Sequence, residues 1–252
     1  MTRSAIIRFV LLSGPVLVFV CATGHLWADE ESTPGEMAQL AGKLPVSGEV
    51  HLAMYNQEEP DGFMRLGWYR EGEDLVLYDR TMMPSMEIYE TMEARVSQDD
   101  FTPRSVSIRF HRGSTIMRID VVLEENHVVG ERAVERPGVA TDTTPIELDT
   151  PESTMLRAVT FLLPLLMGQE PNTALAYHWY APLGNAVQSV SLTATDGGTV
   201  ETPAGAFDTV RYELRGGTPE NDIYVSRGAE PRIVRIDVLG QPLQFLAPAT
   251  TN

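Results

Sequence analysis

Residues Pro151–Gly168, PESTMLRAVTFLLPLLMG, are the longest nearly uncharged apolar run after the N-terminus, and they interrupt a chain that otherwise alternates. Thr150 can cap a helix here, Pro151 suits its first position, and Glu152 adds favourable charge to the first turn. Arg157 is the only positive charge in the run. Val159, Phe161, Leu162, Leu163, Leu165, Leu166 and Met167 point all round a helix axis, so the segment needs burial on most sides. Pro164 removes a donor and should kink or split the last turn, and Gly168 can close it. At about 12 to 17 residues such a helix is short for crossing a bilayer. The spacing therefore predicts a helix plugging a curved sheet, with a lid or membrane-dipping helix as the alternative.

The rest of the chain supplies that sheet. From Val46 the hydrophobic period is two. Val50, Leu52 and Met54 alternate with polar or small neighbours, as do Met64, Leu66 and Trp68, then Val106, Ile108 and Phe110, then Met117, Ile119, Val121 and Leu123. Glu71–Asp74, Arg112–Ser114 and Glu125-Asn126 read as hairpin turns. Met86–Val96 fits helix by composition but strand by alternation, and strand is preferred because its neighbours need a pairing partner. Arg136–Asp149 reads as a linker. Beyond the apolar run, Ala174–Pro182 and Val187–Thr195 are strands, Asp196-Gly197-Gly198 is a hairpin turn, and Phe207–Arg215, Asp222–Arg227, Arg232–Leu239 and Leu243–Leu246 complete the pattern. Val210, Tyr212 and Leu214 face inward. Thr33–Leu44 reads as a short amphipathic helix capped by Thr33 and stopped by Pro45. The expected fold is mainly β: a curved antiparallel sheet, half-barrel or open barrel, enclosing one apolar helix, plus the short N-terminal helix.

Arg3 and Arg8 precede the apolar stretch Phe9–Cys21, and small residues follow at Ala22, Gly24 and Ala28, the three-part plan of a secretory signal peptide. Residues 1–28 are thus expected to hold the signal peptide, cleaved somewhere from Ala22 to Ala28, with 29–45 an acidic leader and helix, 46–247 a single β-rich domain, and 248–252 a frayed tail. Cys21 raises a lipoprotein alternative, against which Val18-Phe19-Val20 lacks the small residue normally required before an acylated cysteine. The expected location is the periplasm, or less favourably the outer membrane as a lipoprotein. Cleavage would remove the only cysteine, excluding disulfides and thiol catalysis, together with Arg3 and Arg8. The full chain already carries a net charge of −16 at pH 7, which disfavours nucleic acid and anionic lipid surfaces.

Glu201-Thr202-Pro203-Ala204-Gly205-Ala206-Phe207-Asp208-Thr209-Val210, followed by Tyr224-Val225-Ser226 and Ile233-Val234-Arg235-Ile236, resembles the C-terminal signature of domain of unknown function family 3108. The helix leading to a glycine and an aromatic strand, and Phe101-Thr102-Pro103 with the strand pair after it, fit the same likeness over roughly residues 46–247. The tryptophan expected near Tyr224 is absent. The resemblance implies an exported bacterial envelope protein, similar to periplasmic lipoprotein-carrier half-barrels with a helix in the mouth, and brings no catalytic residues. Independently, Phe101 and Phe207 occupy similar places beside Pro103 and Pro203. Both read as core anchors of a faint internal repeat, with Pro203–Gly205 a wide turn.

Motifs for chemistry are scarce. The five histidines lack zinc-ligand spacing, no nucleophile elbow or phosphate-cradling loop occurs, and Glu58-Glu59-Pro60-Asp61 reads as a solvated turn. No catalytic residue, metal or cofactor is assigned. Glu90 is the exception in register, pointing inward among Met86, Ile88, Met92 and Ala94 as a candidate buried acid. Met54, Met64, Trp68, Met117, Phe161, Leu165, Trp179 and Tyr212 are candidate lining residues of an apolar concavity. The leading expectation is non-catalytic binding of a lipid or similar hydrophobic molecule. A scaffold holding other envelope proteins, with a filled core, is the alternative, and a hydrolase without a motif is third. None of these patterns sets an oligomeric state.

Overall fold

A computed structural model describes residues 32–249. The expected signal segment, most of the acidic leader, the Cys21 alternative and the last three residues of the tail lie outside the described residues. Fifteen strands form one curved, unclosed sheet. In chain order these are β1 (Ser47–Asn56), β2 (Glu59–Glu71), β3 (Asp74–Met83), β4 (Ile88–Ser97), β5 (Pro103–Arg112), β6 (Thr115–Glu124), β7 (His127–Glu135) and β8 (Asp142–Asp149), then β9 (Met155–Leu156), β10 (Ala174–Ala181), β11 (Ala186–Thr202), β12 (Gly205–Arg215), β13 (Asn221–Ser226), β14 (Ile233–Val238) and β15 (Leu243–Leu246). The order across the sheet is β8 to β1 descending, then β15 to β9 descending. Two antiparallel meanders are therefore joined where β1 pairs with β15, with Met54 opposite Phe245. Alternation explains the sheet: on β1 and β2, Val50, Leu52, Met54, Met64, Leu66 and Trp68 are all buried, whereas His51 and Arg65 are exposed.

The N-terminal helix forms as its signals require. α1 (Pro34–Ala41) begins at Thr33, whose hydroxyl accepts from the Glu36 amide at 3.3 Å while Glu36 accepts from the Thr33 amide at 2.9 Å. Its apolar residues Met37, Leu40 and Ala41 are buried in the main core.

The central run departs from the single helix expected over Pro151–Gly168. Ser153 takes a left-handed conformation (φ 57°), and the Thr154 hydroxyl donates to the Pro151 carbonyl at 2.8 Å, so the run opens with a turn. Met155 and Leu156 then pair in parallel with Trp179 and Tyr180. Helix is confined to two single turns, α2 (Arg157–Thr160) and α3 (Leu163–Leu166). Pro164, inside α3, has no amide hydrogen to bond back to Thr160, so the helical ladder is interrupted over Phe161-Leu162. The plug nevertheless fills the concave side: Val159, Leu162 and Leu163 are fully buried. It is tied to the C-terminal meander, where Tyr177 donates to Thr160 Oγ1 at 3.0 Å and Tyr212 to the Gly168 carbonyl at 3.2 Å. Lys43, just beyond α1, donates to the Leu166 carbonyl at 3.3 Å.

Four local expectations are corrected. The supposed linker contains β8, an edge strand, where Pro145 is tolerated because one side of the strand makes no ladder bonds. Asp196-Gly197-Gly198 is a bulge inside the long β11, and the hairpin turn is the tight Pro203-Ala204. A side chain on Gly197 would collide with Thr209, which accounts for that glycine. Asp61 is buried, accepting from the Ser85 amide at 2.8 Å and hydroxyl at 2.5 Å, so the acidic turn is only partly solvated. Phe101 is fully buried, whereas Phe207 is only half-buried, with the Arg232 guanidinium 4.8 Å from its ring centre.

Candidate functional site

Because the plug is fastened to the C-terminal meander, a space remains between it and the opposite wall of the sheet. A cavity of about 430 Å³ lies there, bounded by β2 to β5, the plug, the β10–β11 corner and strands β14 and β15. Its lining is mostly apolar, including Met64, Met92, Ile108, Phe161 and Phe245. A concave apolar space with a few convergent polar groups is the usual form of a small-molecule site. A larger groove of about 920 Å³ runs along the rim beside Gly240–Leu243, but it is open and as polar as it is apolar. The apolar cavity beside the plug is the better-built site.

Its polar groups come from three elements. On β3, Leu75, Leu77, Asp79 and Thr81 share the inward face. Leu75 and Leu77 are buried, and Asp79 and Thr81 reach the cavity. On β4 the inward face ends in Met92 and Glu90. Thr81 stands directly opposite Glu90 and Asp79 opposite Met92, which makes Asp79 and Glu90 diagonal neighbours. Arg157 enters from α2, its guanidinium 5.6 Å from the centre of the Trp179 ring. Thr81 donates to Asp79 at 2.9 Å. Among the described residues Glu90 has no hydrogen bond and no ion pair, and Arg157 Nε is buried without a partner.

This environment sets the charge states. Burial, opposed by the Thr81 hydroxyl and Arg157, pushes Asp79 up to about 6. Burial and the Asp79 charge, opposed by Arg157, push Glu90 up to about 7. Burial lowers Arg157, and the two acids oppose that shift. All three keep some accessible area because they line a cavity, yet protein surrounds them on every other side. Near neutrality Asp79 is thus mostly ionised, Glu90 is divided between its two protonation states, and Arg157 is the cation beside them.

The expected lining residues separate into two groups. Met64, Phe161 and Glu90 line the cavity. Met54, Trp68, Trp179 and Tyr212 are buried in packing away from it, and Met117 and Leu165 are half-buried against the core. Trp68 donates to the Pro45 carbonyl at 3.0 Å and Trp179 to Gln188 Oε1 at 2.9 Å, so both indoles are committed to structure. Asp79 and Arg157 were not expected at a site. Asp79 carries a readable signal, being a charge in phase with Leu75 and Leu77. Arg157 carries only its isolation within an apolar run.

Among the described residues no group of side chains is arranged to hold a metal ion, and no helix is long and apolar enough to cross a membrane. A scan against protein-family models found no match, and neither did searches of curated proteins or of solved structures.

Proposed function

We propose that the protein is a non-catalytic carrier or receptor that holds an amphiphilic small molecule, with its chain in the apolar cavity and its polar end at Asp79, Glu90 and Arg157. The observation that carries this reading is the cavity itself, about 430 Å³ of mostly apolar space left between the plug and the β3–β4 wall. A scaffold would need only a filled core, and a hydrophobic cavity without function would be expected to collapse or to be filled by larger side chains. Placing three ionisable groups in it is costly unless something uses them. Export to the cell envelope is part of the same proposal. It rests on the Arg3, Arg8 and Phe9–Cys21 pattern and on the likeness to domain of unknown function family 3108.

Native mass spectrometry with organic extraction tests the reading on protein purified without detergent from its native envelope. The expected result is a bound amphiphile at no more than one per chain, removable by solvent. Protein free of any adduct, which also takes up none when offered alkyl amphiphiles, would contradict it.

A further inference from the structure

Among the described residues, the two acids that face the cavity outnumber its one base, and neither acid is held by an ion pair. Glu90 meets Thr81 directly across on β3, Asp79 diagonally on β3, Phe110 across on β5 and Arg157 from the plug. Among the described residues Arg157 is the only cation facing it, and no oxygen of Glu90 lies within 4 Å of the guanidinium nitrogens. Arg157 instead lies against Trp179, toward the C-terminal meander. Glu90 is therefore an inward carboxyl with apolar space in front of it and no partner of its own.

We infer that the cavity takes a cationic amphiphile, an alkyl chain bearing a protonated amine, whose charged end pairs with Glu90 beside Asp79. This rests on the binding reading above and gives it a ligand class. A cation gives Glu90 the partner that the fold leaves it without, and an alkyl chain fits the Met64, Met92, Ile108 and Phe161 surface. An anion would meet Arg157 but also two carboxyls, inside a chain of net charge −16, and would have to carry protons in with it. A cation has the opposite linkage. Glu90, held up to about 7 when the cavity has no cation, ionises as the amine docks, and its proton leaves to solvent.

The test is isothermal titration calorimetry at pH 7 with decylammonium, decanoate and decanol, each below its aggregation limit, in phosphate and in Tris. Decylammonium is expected to bind one per chain, about tenfold or more tighter than decanoate, since one lost charge pairing in a shielded site is worth at least that factor. Its heat should differ between the buffers in the sense of proton release, by about half a proton. Glu90→Gln should abolish the release and bring the two ions to within about threefold of each other. Decanoate binding as tightly as decylammonium, proton uptake instead of release, or binding of decanol alone would overturn the cationic ligand and leave an amphiphile site standing. Binding of none of the three would overturn both.

Discussion

The corner between β3 and β4 and the corner between β10 and β11 share a backbone plan. Each strand runs into a single 3-10 turn opened by proline, Pro84–Met86 and Pro182–Gly184. Each turn closes on one left-handed residue, Glu87 (φ 53°) or Asn185 (φ 46°), whose amide donates to the proline carbonyl at 3.1 Å. The side chains around the two turns then diverge. Around the second corner Trp179 and Tyr180 are fully buried, with the tyrosine donating to Asn185 Oδ1 at 3.1 Å. Around the first corner the inward positions are Asp79, Thr81, Glu90 and Met92, and they face open space. Both corners border the cavity, the second through Ala181–Gly184 and Ala186, but only the first brings ionisable side chains to it. The backbone plan builds the sheet, and side-chain size and charge decide where it stays hollow.

The largest test of this contrast removes bulk from the packed wall. Trp179→Ala should cost about 3–5 kcal/mol in urea unfolding, because it deletes a fully buried indole and leaves a cavity. A cost near zero would mean that the second corner is as loosely filled as the first.

The charged wall should respond with the opposite sign. Folding raises Glu90 to about 7 from its ordinary 4.5, and Asp79 to about 6 from 3.8. Between the unfolded and folded values the native state binds more protons than the unfolded chain, so their contribution to stability falls as pH rises through that window. Glu90→Gln should therefore stabilise the protein by about 1–3 kcal/mol at pH 8, and the gain should shrink toward zero by pH 5. Thermal unfolding at both pH values checks it, and a loss of stability at pH 8 would show that the Glu90 charge is compensated within the fold.

The smallest effect concerns the shared backbone. Glutamate is poorly suited to the left-handed conformation that asparagine tolerates well. Glu87→Asn, which copies the second corner into the first, should raise stability by about 0.3–1 kcal/mol. A decrease would show that Glu87 makes a contribution beyond its backbone geometry.

Much of the sheet was legible because alternation is a local signal repeated in nearly every strand. The inward Val, Leu and Met positions of β1, β2, β5 and β6 follow from it directly. The central segment was legible as buried but not as broken. Apolar residues on all sides say that a segment is enclosed, whereas the turn at Ser153 and the parallel pairing of Met155 with Trp179 depend on distant chain. β8 was hidden by its proline and threonines, whose acceptance at an edge requires knowing the sheet order. At the site, Glu90 was visible as a charge in an apolar register. Its neighbours were not, because Asp79 becomes significant only once β3 and β4 are paired, and Arg157 only once the plug is in place. Met54, Trp68 and Tyr212 share the inward pattern with Met64, and periodicity alone cannot separate a packed inward residue from one that borders open space.

The central claim is that the space beside the plug is a binding site and not a packing void. Fluorescence titration with N-phenyl-1-naphthylamine, a neutral apolar dye, tests it most directly on wild-type protein and on Phe161→Trp, whose larger ring should occupy the cavity from a half-buried position. The account predicts saturable binding of one dye per wild-type chain, displaced by decylammonium, and its loss in the variant with a melting temperature close to wild type. Dye binding that is absent, unsaturable, or equal in the two proteins would contradict it.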